Sequence, residues 1–275
     1  NTKDKFAKFA HNLISYQLPR SYLEGYEKIK KKIEESKVPK NPKIIITSID
    51  HIWNDVFKLY SAQKILNGSK LFVTQHGGMY GITDLNLGEK IEMRIPDKFL
   101  SWGWKQGIRK VLPFFLQKTA YKKINKKRDA SGLIIPIMDI NLIPGQEFLQ
   151  GSPRDKMGVN KYIDNIVSFI SQVNQNILNT SGIKYIDAYK CDYTLKSLKF
   201  KFPNFKFINP KKNTYAISNR FKLTVETVNS SGFLEALNLN IPVILIYDEK
   251  YYSLRKSAVK DFKMLKKVKI VHNSP

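Results

Sequence analysis

Short apolar runs separated by stretches of helical periodicity recur along this chain, and that alternation constrains its fold more than any other feature. Residues 43–47 and Lys70–Thr74 have the length and β-branched content of buried strands. Between them, residues 52–66 carry helical spacing and end at Asn67-Gly68, a usual helix stop. A strand, a helix and a strand at these lengths imply parallel pairing with a right-handed crossover, and ligands of such sheets collect beyond the carboxyl ends of the strands. Residues 20–37 read as an amphipathic helix closed by Pro39 and Pro42, and Lys98–Trp102 as a further strand. After a basic, proline-containing stretch at 105–128, read as a linker, the grammar restarts. Strands are expected at 132–138, 183–188, 205–208, 222–227 and 242–247, and a strand-like run at 269–272. Helices are expected at 161–178, 231–239 and 251–267. The expectation is an α/β protein of two parallel-sheet domains, 1–128 and 129–275, with ligands bound in the cleft between them.

Charge and cysteine content narrow the setting. The 275 residues include 47 Lys and Arg against 23 Asp and Glu, a formal net charge of +24, which suits nucleic acid, an anionic membrane face or a phosphate-bearing substrate. The lysines are dispersed rather than gathered with aromatic residues into a nucleic-acid motif, so nucleic acid is not an expected partner. The run Lys122, Lys123, Lys126, Lys127 and Arg128 suits a solvated linker or peripheral contact with an anionic membrane. Cys191 is the one cysteine, which excludes an intrachain disulfide and a cysteine-rich zinc site and fits a reducing, cytoplasmic setting. No apolar run approaches the roughly 20 residues that span a bilayer, and the charged N-terminus is no signal peptide. The chain starts at Asn1 and stops at Ser274-Pro275 just after a strand-like run, so both ends read as cut.

Three segments carry chemistry. In Gln75-His76-Gly77-Gly78-Met79-Tyr80-Gly81, paired glycines after a strand allow close approach of backbone to ligand, and His76 brings a group that exchanges protons near neutral pH. The same segment also suits a tight turn whose histidine bonds a neighbouring carbonyl. In the segment from Glu226 through Ser230, Ser231 and Gly232 to Glu235, a strand end leads to a small polar turn and a helix start. Ser230 or Ser231 can cap that helix, whose unpaired N–H groups suit a phosphate, and Glu235 lies where it can accept a ribose hydroxyl. An ordinary capped helix reads equally well. Trp102 and Trp104 in the third segment, with Tyr80, are candidates for stacking on a sugar or base, although core packing is the commoner fate of tryptophan.

Together these segments resemble a family of bacterial O-antigen transferases first described in spirochaetes, related to capsule Kdo transferases and CDP-glycerol glycerophosphotransferases. The matching blocks are QHGGMYG (75–81), IPDKFLSWGW (95–104), SNRFKLTVETVNSSGFLEALNLNIPVILIYDEKYYSLRKSA (218–258) and FKMLKKVKIVHNSP (262–275). The resemblance implies a GT-B-like architecture of two Rossmann-like domains facing across a cleft. It also implies an incomplete N-terminal, acceptor-side domain and a C-terminal, nucleotide-donor domain that lacks its closing helices. The implied activity is metal-independent transfer of a sugar from a nucleotide-sugar donor to a cell-surface O-antigen or capsule polysaccharide, or to a lipid-linked glycan, in the cytoplasm or peripherally on the inner face of the membrane. His76 maps onto the family's His-Gly motif as a base or phosphate contact. Gly77, Gly78, Glu226, Ser230, Ser231 and Glu235 map onto the donor site. No Asp-x-Asp metal motif is present and no cofactor is implied, so basic groups such as Arg220 or Arg255 would neutralise the leaving nucleotide. Near residues 183–187 relatives tend to show an arginine, and Lys184 supplies its charge but not its bidentate geometry. Transfer of a polyol phosphate from a CDP-linked donor, a basic non-catalytic binding protein and an inactive remnant remain the competing expectations.

Overall fold

The computed structural model describes residues 4–84, 86–123, 131–138, 156–185, 193–208, 214–218, 220–249 and 254–275. The elements run α1 (Lys5–Gln17), α2 (Tyr26–Glu35), β1 (Ile44–Thr47), α3 (Asp50–Trp53), α4 (Asp55–Leu66), β2 (Lys70–Thr74), α5 (Leu87–Arg94), β3 (Lys98–Trp102) and β4 (Val111–Phe114). They continue as β5 (Leu133–Pro136), α6 (Lys156–Gln172), α7 (Gln175–Leu178), β6 (Gly182–Lys184), α8 (Tyr193–Lys201), β7 (Phe207–Ile208) and α9 (Thr214–Ser218). The chain closes with β8 (Leu223–Glu226), α10 (Ser231–Asn238), β9 (Val243–Ile246), α11 (Val259–Lys267) and β10 (Val271–His272). Contacts group these elements into two compact units, residues 1–76 with 95–100 and residues 77–94 with 101–275. The expected boundary at 128, Cys191 and the basic residues Lys126, Lys127 and Arg128 lie outside the described residues.

In the first unit β1, β2 and β3 are parallel neighbours in that order, with Thr47 opposite Val73 and Thr74 opposite Leu100. The helix expected at 52–66 is two helices. Asn54 takes an extended conformation and its side chain caps α4 through Phe57 N–H at 3.1 Å, a local bond that outcompetes continuation of α3. Gly68, at φ 94°, then ends α4 in a left-handed conformation. The helix expected at 20–37 begins only at Tyr26. Ahead of it the chain turns tightly at Gly25, where a Cβ would lie 2.8 Å from the Arg20 carbonyl oxygen.

The second unit is built on a six-stranded sheet in the order β10-β9-β8-β5-β6-β7. Its paired strands are parallel throughout. Counted from β5, this is the doubly wound order 3-2-1-4-5-6, which reverses between β5 and β8. The central strands are buried on both faces: Ile134, Ile135, Ile183, Val225 and Leu245 are fully excluded from solvent, which is why they read as continuous apolar runs. Ile166 and Ile170 of α6 and Phe233 of α10 close the core. At the reversal, Tyr162 shares a 2.9 Å hydroxyl bond with Thr227 and accepts from Met138 N–H, tying α6 to the ends of β5 and β8. The sequence thus yields an α/β protein with parallel sheets, and in sheets of this order the reversal, at the carboxyl ends of β5 and β8, is where a ligand crevice forms.

Candidate functional site

β8 delivers Glu226 to that crevice, and the turn after it leads into α10. Ser230 is the N-cap: its Oγ accepts from Gly232 N–H at 3.1 Å and donates to Glu226 Oε2 at 3.4 Å. Glu226 is 1% exposed; burial pushes its carboxyl up to about 8 against the opposing pull of the Ser230 bond, so it is largely protonated at pH 7. Gly232 packs closely here: a Cβ would lie 2.6 Å from Glu226 Oε1 and would displace that carboxyl. Asn229, buried beside this turn, has neither side-chain amide atom hydrogen-bonded among the described residues.

The glycine-rich segment lies directly on this helix start. A Cβ on Gly78 would be 2.5 Å from the Ser230 carbonyl and 2.6 Å from Ser231 N, so only glycine lets the backbone approach the cap this closely. The segment beyond it is clamped. Gly81, at φ 74°, donates its N–H to Glu89 Oε2 at 2.9 Å and accepts at its carbonyl from Gln106 Nε2 at 2.7 Å. Arg255 joins both holders, with Nη1 2.8 Å from Glu89 Oε1 and 2.7 Å from Gln106 Oε1, and its own N–H bonds the Ile82 carbonyl. Trp104 packs its ring against Gly81, where a Cβ would come within 2.7 Å. Tyr80 is buried and its hydroxyl donates to Glu92 at 2.8 Å; burial pushes Glu92 up to about 7 and raises the tyrosine as well. Trp102 is half-buried and donates Nε1–H to Gln117 at 3.0 Å.

Gly78, Glu226, Ser230 and Ser231 therefore form one cluster, with Glu235 one turn into the same helix. Glu235 is raised by burial, countered by Lys118 at 3.6 Å. Arg255, Tyr80 and Trp104 belong to the clamp behind that cluster. His76 closes the first unit, directly after β2 at the carboxyl end of its parallel sheet. Two further residues stand out, His51, which motif reading missed, and Lys184, which it noted only as standing where relatives show an arginine. His51, in the short helix α3 after β1, has both ring nitrogens buried without a hydrogen bond among the described residues, and burial together with the charge of His76 lowers its pKa. Lys184, at the end of β6, is 3% exposed. Burial lowers its ammonium while Glu226 and Glu235 pull it back up. A histidine one short turn after a strand is a signal the sequence did carry; the burial of Lys184 left none.

No group of three or more His, Cys, Asp or Glu side chains suited to a metal ion occurs among the described residues, and no described helix is long and apolar enough to cross a membrane. A glycine-dependent contact over a capped helix at the reversal of a doubly wound sheet is an arrangement suited to an anionic ligand. The class this defines is a doubly wound parallel α/β protein with a candidate anion site. The chain belongs to the LIC12162 family transferases, whose family model it matches over residues 1–275. No curated protein matches it.

Proposed function

We propose that the protein is a metal-independent glycosyltransferase of the two-domain GT-B kind, transferring a sugar from a nucleotide-sugar donor to a cell-surface polysaccharide acceptor. The observation that carries this reading is the packing of Gly78 on the Ser230–Ser231 peptide, which brings the glycine-rich segment onto a helix N-terminus at the switch point of a nucleotide-binding sheet order. Phosphate charge meets the partial positive charge of α10 there, supplemented by lysine. His76, two residues before Gly78, takes the proton of an acceptor hydroxyl on its imidazole. The hydroxyl oxygen bonds to the anomeric carbon, and the bond from that carbon to the donor phosphate breaks with its electron pair on the phosphate. Membership in a transferase family supports group transfer as the reaction type.

The test is release of nucleotide from CMP-, CDP- and UDP-sugars by the purified protein, with and without glycan acceptors. General-base catalysis typically contributes about 100- to 10,000-fold, so His76→Ala lowers turnover by that order while nucleotide affinity stays near the wild-type value. Unchanged turnover in a folded variant removes His76 from the chemistry.

A further inference from the structure

Lys184 is a buried lysine whose charge lies within reach of Glu226 and Glu235. It ends β6, the strand next to β5, and so stands at the same carboxyl edge as Glu226 and the head of α10. Its side chain is almost wholly enclosed, yet among the described residues its ammonium makes no hydrogen bond and no ion pair. A buried charge left unpaired is costly, and proteins keep one chiefly where something else neutralises it. The neighbouring acids draw on its charge, but neither forms an ion pair with it among the described residues. Glu226 spends one oxygen on Ser230, and Glu235 has its own partner in Lys118. Arg255 is held by Glu89 and Gln106 and is not free to serve as the cation of this crevice.

We propose that Lys184 is the cation of a phosphate-binding site completed by the N-terminus of α10, taking the phosphate or diphosphate of a bound ligand. The inference deepens the donor-site reading above and rests on it for the nucleotide, but not for the anion. An ammonium at the same sheet edge as the start of a helix supplies a point charge and N–H donors, the two elements that phosphate recognition uses. Asn229, in the turn between β8 and α10 with both amide atoms unbonded among the described residues, is a third polar group available to the same ligand.

Inorganic pyrophosphate is the probe, titrated calorimetrically into the wild-type chain, Lys184→Met and Lys184→Gln, with CMP, CDP and UDP titrated in parallel. The wild-type chain binds pyrophosphate, and both variants, melting as cooperatively as wild type, bind it at least tenfold more weakly. Wild-type protein labelled with 13C at lysine Cε gives a readout that needs no variant: the Lys184 signal moves saturably as pyrophosphate is added. Pyrophosphate bound through Lys184 without binding of any nucleotide keeps this site and removes the nucleotide-sugar reading. Absence of pyrophosphate binding by the wild type, equal affinity in the folded variants, or an unmoved Lys184 signal at saturation overturns the site.

Discussion

Glu226 shows how a single residue couples the sheet to the site. Its carboxyl is buried at the end of β8, close against Gly232 and hydrogen-bonded by Ser230. A carboxyl whose folded pKa is raised from 4.5 to about 8 favours folding fully below 4.5, and that contribution is lost as pH rises toward 8. Wild-type stability, followed by urea denaturation, therefore falls by an amount on the order of a few kcal/mol between pH 5 and 8. Glu226→Gln flattens that slope. An equally steep pH dependence in the variant would show that the carboxyl is not the buried neutral acid described. Sequence reading placed Glu226 and Ser230 in one turn from their spacing alone. It offered Ser230 or Ser231 as the cap of the helix and could not choose between them, since that depends on the extended conformation at Ser230 (φ −100°, ψ 177°).

At the scale of elements, the pairing of α5 with the segment before α11 fixes the glycine-rich loop. Glu89 is fully buried, and removing the charge of Arg255 leaves it without its counter-ion, a loss of about 3 kcal/mol for a buried pair broken on one side. Glu89→Gln and Arg255→Gln should each destabilise to that extent, and the double variant by less than their sum, with a coupling of about 1 kcal/mol or more. Additive effects in that cycle would mean that the two side chains act separately. The existence of α5 was hidden from the sequence for the same reason that it matters: its buried positions include Glu89 and Glu92, and a search for apolar periodicity passes over them. Helix α1 escaped for the opposite reason, since Phe6, Phe9 and Ile14 are exposed and no neighbouring pattern frames them. The strands were legible because burial on both faces leaves an unbroken apolar run, whereas the breaks at Gly25 and Asn54 interrupt backbone geometry without interrupting the periodicity.

For the molecule as a whole, the order of the six-stranded sheet decides where a ligand goes. The reversal between β5 and β8 was not readable from the sequence, which gave the succession of strands but not their neighbours. Once the order is known, the capped start of α10, Gly78 over it and Lys184 at the same edge fall at the position where doubly wound sheets bind nucleotides. The central claim is that a nucleotide donor binds at the head of α10. Its most direct test is an NMR titration of the uniformly 15N-labelled protein with the nucleotide that gives the largest thermal stabilisation among CMP, CDP and UDP. The account predicts saturable shifts centred on the backbone amides of Gly78 and Ser231 to Leu234, with smaller changes elsewhere. Saturable binding that leaves those amides unmoved, or no binding of any nucleotide by the folded protein, would contradict it.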